Sequence, residues 1–318
     1  MKAAPFDYLR ADSLEQALHE LARHGGDAKL IAGGQSLVPM MAMRLARPSV
    51  LVDIHRLAEL RGWQVAGDAV RLRAASRQCE VEADAGLAGA VPLLRAALRW
   101  VGHQQTRNRG TVGGSLVHAD PAAELPLAAA VLQARLHLRS ERTERCVDAA
   151  DFALGPMFTT LADDECLVAI DWPTWSVGEG EVLRCEFDET AIRHGDFAMA
   201  SVAVQLVLDA SGVCRRAAIG LGGVDATPLA FPDLAAQLHG RRIDASSAAE
   251  VAQAAAARCQ PGSDMHADAE YRRQLGRRGL AQAAGFTWLA AARSLLQILE
   301  TCAGASSVSN ATSEPESP

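Results

Sequence analysis

The chain has 318 residues, of which 49% are hydrophobic and 22% charged, with a formal net charge of −7 and a sequence pI near 5.7. This is the profile of a soluble globular protein of two or three domains with a substantial core, and it gives a nucleic-acid role no electrostatic support. No apolar run is long enough to cross a bilayer, and the opening MKAAPFDYLR lacks the apolar core of a signal peptide, so a cytoplasmic protein is expected.

From the N-terminus, Asp12 or Ser13 caps a helix running through LEQALHELARHGG, with Gln16 three residues after Ser13 and Gly25-Gly26 as the stop. Leu14, Ala17, Leu18 and Leu21 give that helix its apolar spacing. AKLIAG then reads as a short buried strand ending at the glycine pair Gly33-Gly34, LVPMMAMRLARP as one or two helical turns, and SVLVDI as another strand. Together they make a small βαβ unit with a loop at a strand's carboxyl end. WQVAGDAVRLRAAS alternates around Gly67-Asp68 and predicts a hairpin. VPLLRAALRWVG is an amphipathic helix with Pro92 near its start, and it leads into HQQTRNRGTVGG and a second glycine pair, Gly113-Gly114. AAELPLAAAVLQ is a further apolar helix; ARLHLRS and ECLVAIDWP read as strands. A Pro- and Gly-bearing segment from Trp172 to Gly180 links to a C-terminal region. There RCEFDET, SVAVQLVLD and RRAAIGLGGV predict three antiparallel strands, followed by helices at Leu229–His239, Ala245–Arg258 and from Ala267 onward. The tail AGASSVSNATSEPESP is Ser- and Pro-rich without a periodic face and is expected to be disordered.

Seven cysteines (79, 146, 166, 185, 214, 259 and 302) are widely and irregularly spaced, with no C-x-x-C pair. That spacing argues against a zinc ribbon, an iron–sulfur cluster or a disulfide framework on this chain. No metal ligand set and no acid–base triad is expected.

The two glycine pairs carry the functional argument. A doubled glycine followed by Gln35-Ser36 or by Ser115 suits anion binding, because exposed amides and a hydroxyl can converge on phosphate oxygens. One such pair taken alone is more often a tight turn. Neither segment fits G-x-G-x-x-G or G-x-x-x-x-G-K-[ST], so a standard dinucleotide fingerprint or P-loop is disfavoured. Two of them, each leaving an apolar segment, favour a dinucleotide whose phosphates are held from opposite sides.

K-L-I-A-G-G-Q-S-L-V-P-M-M and T-R-N-R-G-T-V-G-G-S-L-V-H-A-D-P-A-A-E-L-P resemble the two FAD-binding motifs of the medium subunit of molybdenum hydroxylases. That family includes aerobic carbon monoxide dehydrogenase and the flavin domain of xanthine dehydrogenase. The likeness extends to D-E-C-L-V-A-I-D-W-P, F-D-E-T-A-I-R-H-G-D-F-A and D-M-H-A-D-A-E-Y-R-R-Q-L, covering nearly the whole chain except the tail. It implies an α+β protein: a vanillyl-alcohol-oxidase-type FAD-binding fold over residues 1–175, in two α/β subdomains of about 1–58 and 59–175, then a C-terminal α+β domain over 176–302 and a disordered tail over 303–318.

By the same resemblance, Lys29, Leu30, Ile31, Ala32, Gly33, Gly34, Gln35, Ser36 and Leu37 wrap the FAD pyrophosphate, and Thr111, Val112, Gly113, Gly114 and Ser115 close over it from the other side. Asp120 and Glu124 match acidic positions that accept hydrogen bonds from ribose or ribityl hydroxyls, and Leu167 matches an apolar position beside the flavin. The resemblance further implies a large molybdenum-cofactor subunit and a small iron–sulfur subunit as partners, in a dimer of heterotrimers. Electrons would pass from the clusters through FAD to an acceptor such as NAD, oxygen or a quinone. One departure stands out: many relatives carry Lys where this chain has Asp188, and a second basic residue where it has Ile192, leaving Arg193 as the nearby cation. Blander readings compete at single positions: His118, His103 and His194 as structural histidines, Arg107 and Arg109 as surface cations or turn anchors, Trp63 and Trp100 as packing aromatics, and Glu124 as a helix N-terminal charge. At the level of the whole chain the rivals are a free-standing flavin oxidase or reductase, which would turn over a small substrate by itself, and a scaffold that has lost the cofactor.

Overall fold

The computed structural model describes residues 2–264 and 267–281. The expected disorder of 303–318 and Cys302 lie outside the described residues.

The first unit is a three-stranded parallel sheet. It comprises β1 (Asp7–Arg10), α1 (Leu14–His24), β2 (Ala28–Ile31), α2 (Leu37–Ala42) and β3 (Val50–Asp53), with strand order β1-β3-β2. Ser13 caps α1 by accepting from the Gln16 amide at 3.1 Å, and the Gln16 side chain accepts from the Asp12 amide at 2.7 Å. Gly25, at φ 53°, ends the helix as its sequence suggests. Leu14, Ala17, Leu18 and Leu21 pack on Val50 and Val52 of the central strand. β1 is a strand that the sequence does not announce: it lies at the sheet edge, three of its four residues are exposed, and DYLR has no apolar alternation to read.

The second unit is an antiparallel sheet with a large helical insert. β4 (Trp63–Ala66) and β5 (Ala69–Arg73) form the expected hairpin, with Gly67 at φ 65° in its turn. Six short helices follow: α3 (Gln78–Ala83), α4 (Ala85–Ala90), α5 (Pro92–Leu98), α6 (Gln104–Arg109), α7 (Val112–His118) and α8 (Glu124–Val131). The chain then makes β6 (Arg135–Arg139), β7 (Glu144–Asp148), α9 (Ala149–Phe152), the small pair β8 (Ala153–Gly155) and β9 (Phe158–Thr159), and β10 (Cys166–Pro173). The order β4-β5-β10-β6-β7 sets β10 in the middle. Val70, Leu72, Leu136, Leu138, Ile170 and Trp172 point from one face into the helices and form the main core with Leu93, Leu94, Leu125 and Leu127. A bidentate pair, Arg145 Nε and Nη2 to Glu165 at 2.6 and 2.7 Å, fastens β7 to the approach of β10.

The C-terminal unit is a four-stranded antiparallel sheet, β11 (Val182–Thr190), β12 (Ala200–Leu208), β13 (Cys214–Gly222) and β14 (Leu229–Ala230), with α10 (Pro232–Gln237), α11 (Ala245–Ala256) and helical residues 269–281. Three strands were expected here; the fourth takes the place of a helix start at Leu229. The helix begins at Pro232 instead, since proline suits the first helical position, where its missing N–H costs nothing. β12 is buried on both faces. Val202, Val204 and Leu206 face the C-terminal helices, while Ala203 joins Phe187 against the helices of the second unit. Two hydrogen bonds fasten this seam: the Trp100 indole N–H donates to the Phe187 carbonyl and the Gly223 amide to the Pro121 carbonyl, each at 2.8 Å.

Candidate functional site

The chain leaves β2 at Ile31, at the carboxyl edge of the parallel sheet, and turns through Ala32–Ser36 into α2. Gly34 sits at φ 72°, a conformation that side-chain-bearing residues rarely adopt. Its neighbour Gly33 meets the second motif directly. A Cβ there would collide with the Arg109 carbonyl oxygen and lie 2.9 Å from the Gly110 Cα. The two glycine motifs, some eighty residues apart in sequence, therefore touch backbone to backbone.

Their hydrogen bonding differs. Among the described residues the amides of Gly33, Gly34, Gln35 and Ser36 donate to no protein acceptor; the Gln35 side chain folds back to donate to the Gly33 carbonyl at 3.0 Å. Four successive unspent N–H groups around a left-handed glycine form a concave anion-binding turn. Thr111 to Ser115 is not a loop. Thr111 is the N-cap of α7, accepting from the Gly114 amide at 3.1 Å, and the glycines form the first turn of that helix. The Val112 amide donates to the Ser76 carbonyl at 3.1 Å, the Gly113 amide to the Ala74 carbonyl at 2.8 Å, and the Ser115 amide to the Thr111 carbonyl at 3.2 Å. The expectation that both glycine pairs present main-chain donors is thus corrected for the second: its amides are spent inside the protein. What its glycines provide is close packing. A Cβ on Gly113 would lie 2.6 Å from the Ala74 Cβ and 2.8 Å from the Ala74 carbonyl oxygen.

The remaining site residues spread outward from this junction. Lys29 is exposed on β2 with its ammonium 3.6 Å from Asp163, and Leu30 and Ile31 are half-buried. Leu37 opens α2. Leu167, 4% exposed, lies on β10 within the main core. Asp120 follows the left-handed Ala119 (φ 49°) that ends α7; it is nearly buried, and its carboxylate accepts from the Ala122 amide at 2.9 Å. Glu124 opens α8. Burial pushes its carboxyl up to about 7, and the nearby Asp120 adds to this while its own amide and Arg107 oppose it. His118 is the last residue of α7, and burial disfavours its protonated form against the pull of Asp120. Arg107 is a turn anchor: it donates to Glu82 at 2.8 Å and to the Val101 and Gly102 carbonyls at 3.0 and 3.1 Å. Asp188 sits in β11, where its carboxylate accepts from the Glu189 amide, and Arg193 pairs with Asp196 on an exposed turn.

The sequence reading missed the seat beneath the second motif. Residues 74–78 hold it through an Arg77–Thr111 bridge, the Gln78 amide donating to the Gly110 carbonyl at 3.0 Å, and the Arg77 guanidinium donating to the Arg109 carbonyl. The run of small residues Ala74-Ala75-Ser76 was the available signal, because a helix start can lie this close only over small side chains. Four successive unspent amides on a glycine turn fit a pyrophosphate group, and carboxylates such as Asp120 and Glu124 have the chemistry to accept from ligand hydroxyls. Among the described residues no group of three or more His, Cys, Asp or Glu side chains could hold a metal ion, all six described cysteines are free, and no helix is long and apolar enough to cross a membrane.

Comparison with known proteins gives concordant results. Residues 4–175 match the family described as FAD binding domain in molybdopterin dehydrogenase, and residues 186–284 match CO dehydrogenase flavoprotein C-terminal domain. The chain is 37% identical to the 6-hydroxypseudooxynicotine dehydrogenase complex subunit alpha of Paenarthrobacter nicotinovorans over 86% of this chain and 92% of that protein. It is 32% identical to the carbon monoxide dehydrogenase medium chain of Hydrogenophaga pseudoflava, over 89% and 97%. Among solved structures, a chain of quinoline 2-oxidoreductase from Pseudomonas putida 86 superposes with a TM-score of 0.83 at 37% identity, over 89% of this chain and 97% of that one.

Proposed function

The chain belongs to the family of FAD-binding medium subunits of molybdenum hydroxylases, and on that premise we propose that it relays electrons from iron–sulfur clusters of a small partner subunit, through FAD, to an external acceptor such as NAD, oxygen or a quinone. Substrate hydroxylation belongs, in this reading, to a molybdenum cofactor on a large partner subunit, and the assembly is a dimer of heterotrimers in the cytoplasm. FAD, when bound, supplies a carrier able to take up two electrons and release them singly or together.

The protein's own contribution is binding, orientation and electrostatics. The amides of Gly33 to Ser36 hold the pyrophosphate by charge-assisted hydrogen bonds, with Lys29 to Ile31 and Leu37 framing the turn. Thr111 to Ser115 act as the opposing wall, through van der Waals contact and the Thr111 and Ser115 side chains. Asp120 and Glu124 accept from ligand hydroxyls, and Leu167 backs the flavin region. The observation that carries this reading is the set of four consecutive unspent amides placed against the second motif.

Two measurements test it. Purified chain incubated with FAD and desalted should retain about one flavin per chain by visible absorbance. Isolation from the native host should bring down a molybdenum-containing large subunit and an iron–sulfur small subunit. A folded chain without flavin would remove the proposed cofactor site, whereas turnover of a small substrate by this chain alone would favour a free-standing oxidase or reductase.

A further inference from the structure

The residues assigned to the pyrophosphate leave its charge unanswered. A pyrophosphate diester carries a negative charge on each phosphate, whereas the amides of Gly33 to Ser36 are neutral donors. Lys29, the one cationic residue in that set, is exposed on β2 and has its ammonium 3.6 Å from Asp163. Arg107 is committed to Glu82 and to the Val101 and Gly102 carbonyls, and burial disfavours the protonated form of His118.

Arg77 stands where the two motifs meet. It is the N-cap residue of α3 and forms an isolated bridge with Thr111. Its guanidinium Nη1 donates to the Arg109 carbonyl oxygen, the same atom that a Cβ on Gly33 would strike. The cation therefore lies within a few ångströms of the first residue of the open turn. Arg77 is half-buried, and its other guanidinium N–H groups reach no acceptor among the described residues. The neighbouring Glu80 is engaged elsewhere: one carboxylate oxygen accepts from Arg61 at 2.6 Å and the other from the Arg77 main-chain amide at 3.4 Å. A half-buried guanidinium with free donors and no carboxylate against it is costly until an anion arrives, and its planar fork matches phosphate oxygens.

We propose, on the FAD reading above, that Arg77 is a pyrophosphate-binding residue: its guanidinium supplies the positive charge that the Gly33–Ser36 turn lacks, and its bond to the Arg109 carbonyl holds it in place. In support, burial and the nearby Arg61 and Arg109 guanidiniums make the charged form of Arg77 less favourable than usual, against an opposing pull from Glu80. A bound pyrophosphate removes that penalty. The residue thus selects for ligands that carry the diphosphate.

Titration of the flavin-free full chain with FAD, ADP and riboflavin tests this, because riboflavin lacks the diphosphate. In Arg77→Gln the affinities for FAD and ADP should each fall at least about tenfold, and the weakening of binding by added salt should flatten. Riboflavin binding should not change. Arg77→Lys should recover much of the loss, since it keeps the charge while giving up the fork. Arg109→Gln, which alters an exposed side chain and keeps the carbonyl, should cost less than Arg77→Gln. A merely structural Arg77 gives another pattern: a lower Tm in Arg77→Gln, an unchanged salt dependence, and riboflavin affected as much as FAD. That pattern, equal FAD affinity in variant and wild type, or a larger loss in Arg109→Gln overturns the proposal. If Arg77→Gln does not fold, phenylglyoxal labelling of the wild type, mapped by mass spectrometry, decides. FAD and ADP should protect Arg77 and riboflavin should not; equal labelling with and without FAD, or no labelling in the flavin-free chain, overturns it. A wild type that binds neither FAD nor ADP removes the cofactor site itself, whereas one that binds both without help from Arg77 removes this role alone.

Discussion

The glycine pairs Gly33-Gly34 and Gly113-Gly114 look alike in sequence and do opposite physical work. The first keeps a turn open, leaving the amides from Gly33 to Ser36 without protein partners. The second is folded into a capped helix whose amides are consumed, and its missing side chains let α7 settle on Ala74. One pair leaves its amides free; the other spends its amides and lets a helix stand close to Ala74. The same dipeptide can thus mark either a binding surface or a packing contact, and the fate of its N–H groups tells them apart.

Three substitutions sharpen that contrast. The largest effect is expected from Gly33→Val, where the new side chain must displace the Arg109–Gly110 backbone rather than a flexible side chain. Flavin content of the purified protein, read by visible absorbance, should fall at least about tenfold, a loss of roughly 1.4 kcal/mol or more in affinity, while the far-ultraviolet circular dichroism stays native. Retained flavin would move the site elsewhere. Gly113→Ala is expected to act on stability first: over-packing against Ala74 should cost about 1–3 kcal/mol by denaturant unfolding, with flavin loss following from misplacement of α7. Were flavin lost with no change in stability, the second pair would be a donor site after all. The smallest effect is expected from Thr111→Ala, which removes the α7 cap and should cost about 1 kcal/mol; a much larger loss of flavin than of stability would show that the Thr111 hydroxyl touches the ligand.

Much of the fold was legible because local rules and tertiary demand agree. The Ser13 cap and Gly25 stop of α1, the Gly67 hairpin and Pro92 at the first position of α5 all stand where their chemistry places them. The failures have physical causes. β1 is an edge strand with little apolar surface, so alternation had nothing to report. The start of α7 contains two glycines, each disfavouring helix by about 1 kcal/mol, and only packing on Ala74 and the Thr111 cap reverse that preference. The touching of the two motifs was legible as a family pattern but not as a contact, since Gly33 meets the backbone of Arg109 and Gly110 and backbone leaves no signature in side-chain identity.

The position of β10 has a consequence for how such a chain comes to exist. It lies between β5 and β6 although it is made after both, and the Ala74 amide, next to the carbonyl that receives Gly113, donates to Val168 on that late strand. During synthesis the six-helix insert must wait without its floor until residues beyond 173 have left the ribosome. Its apolar surface is exposed in the meantime to anything in the cell that binds nascent chains. Ribosome-bound fragments ending before β10 should accordingly be protease-sensitive throughout the insert, and should become resistant together, in one step, once that strand is free to slide into place.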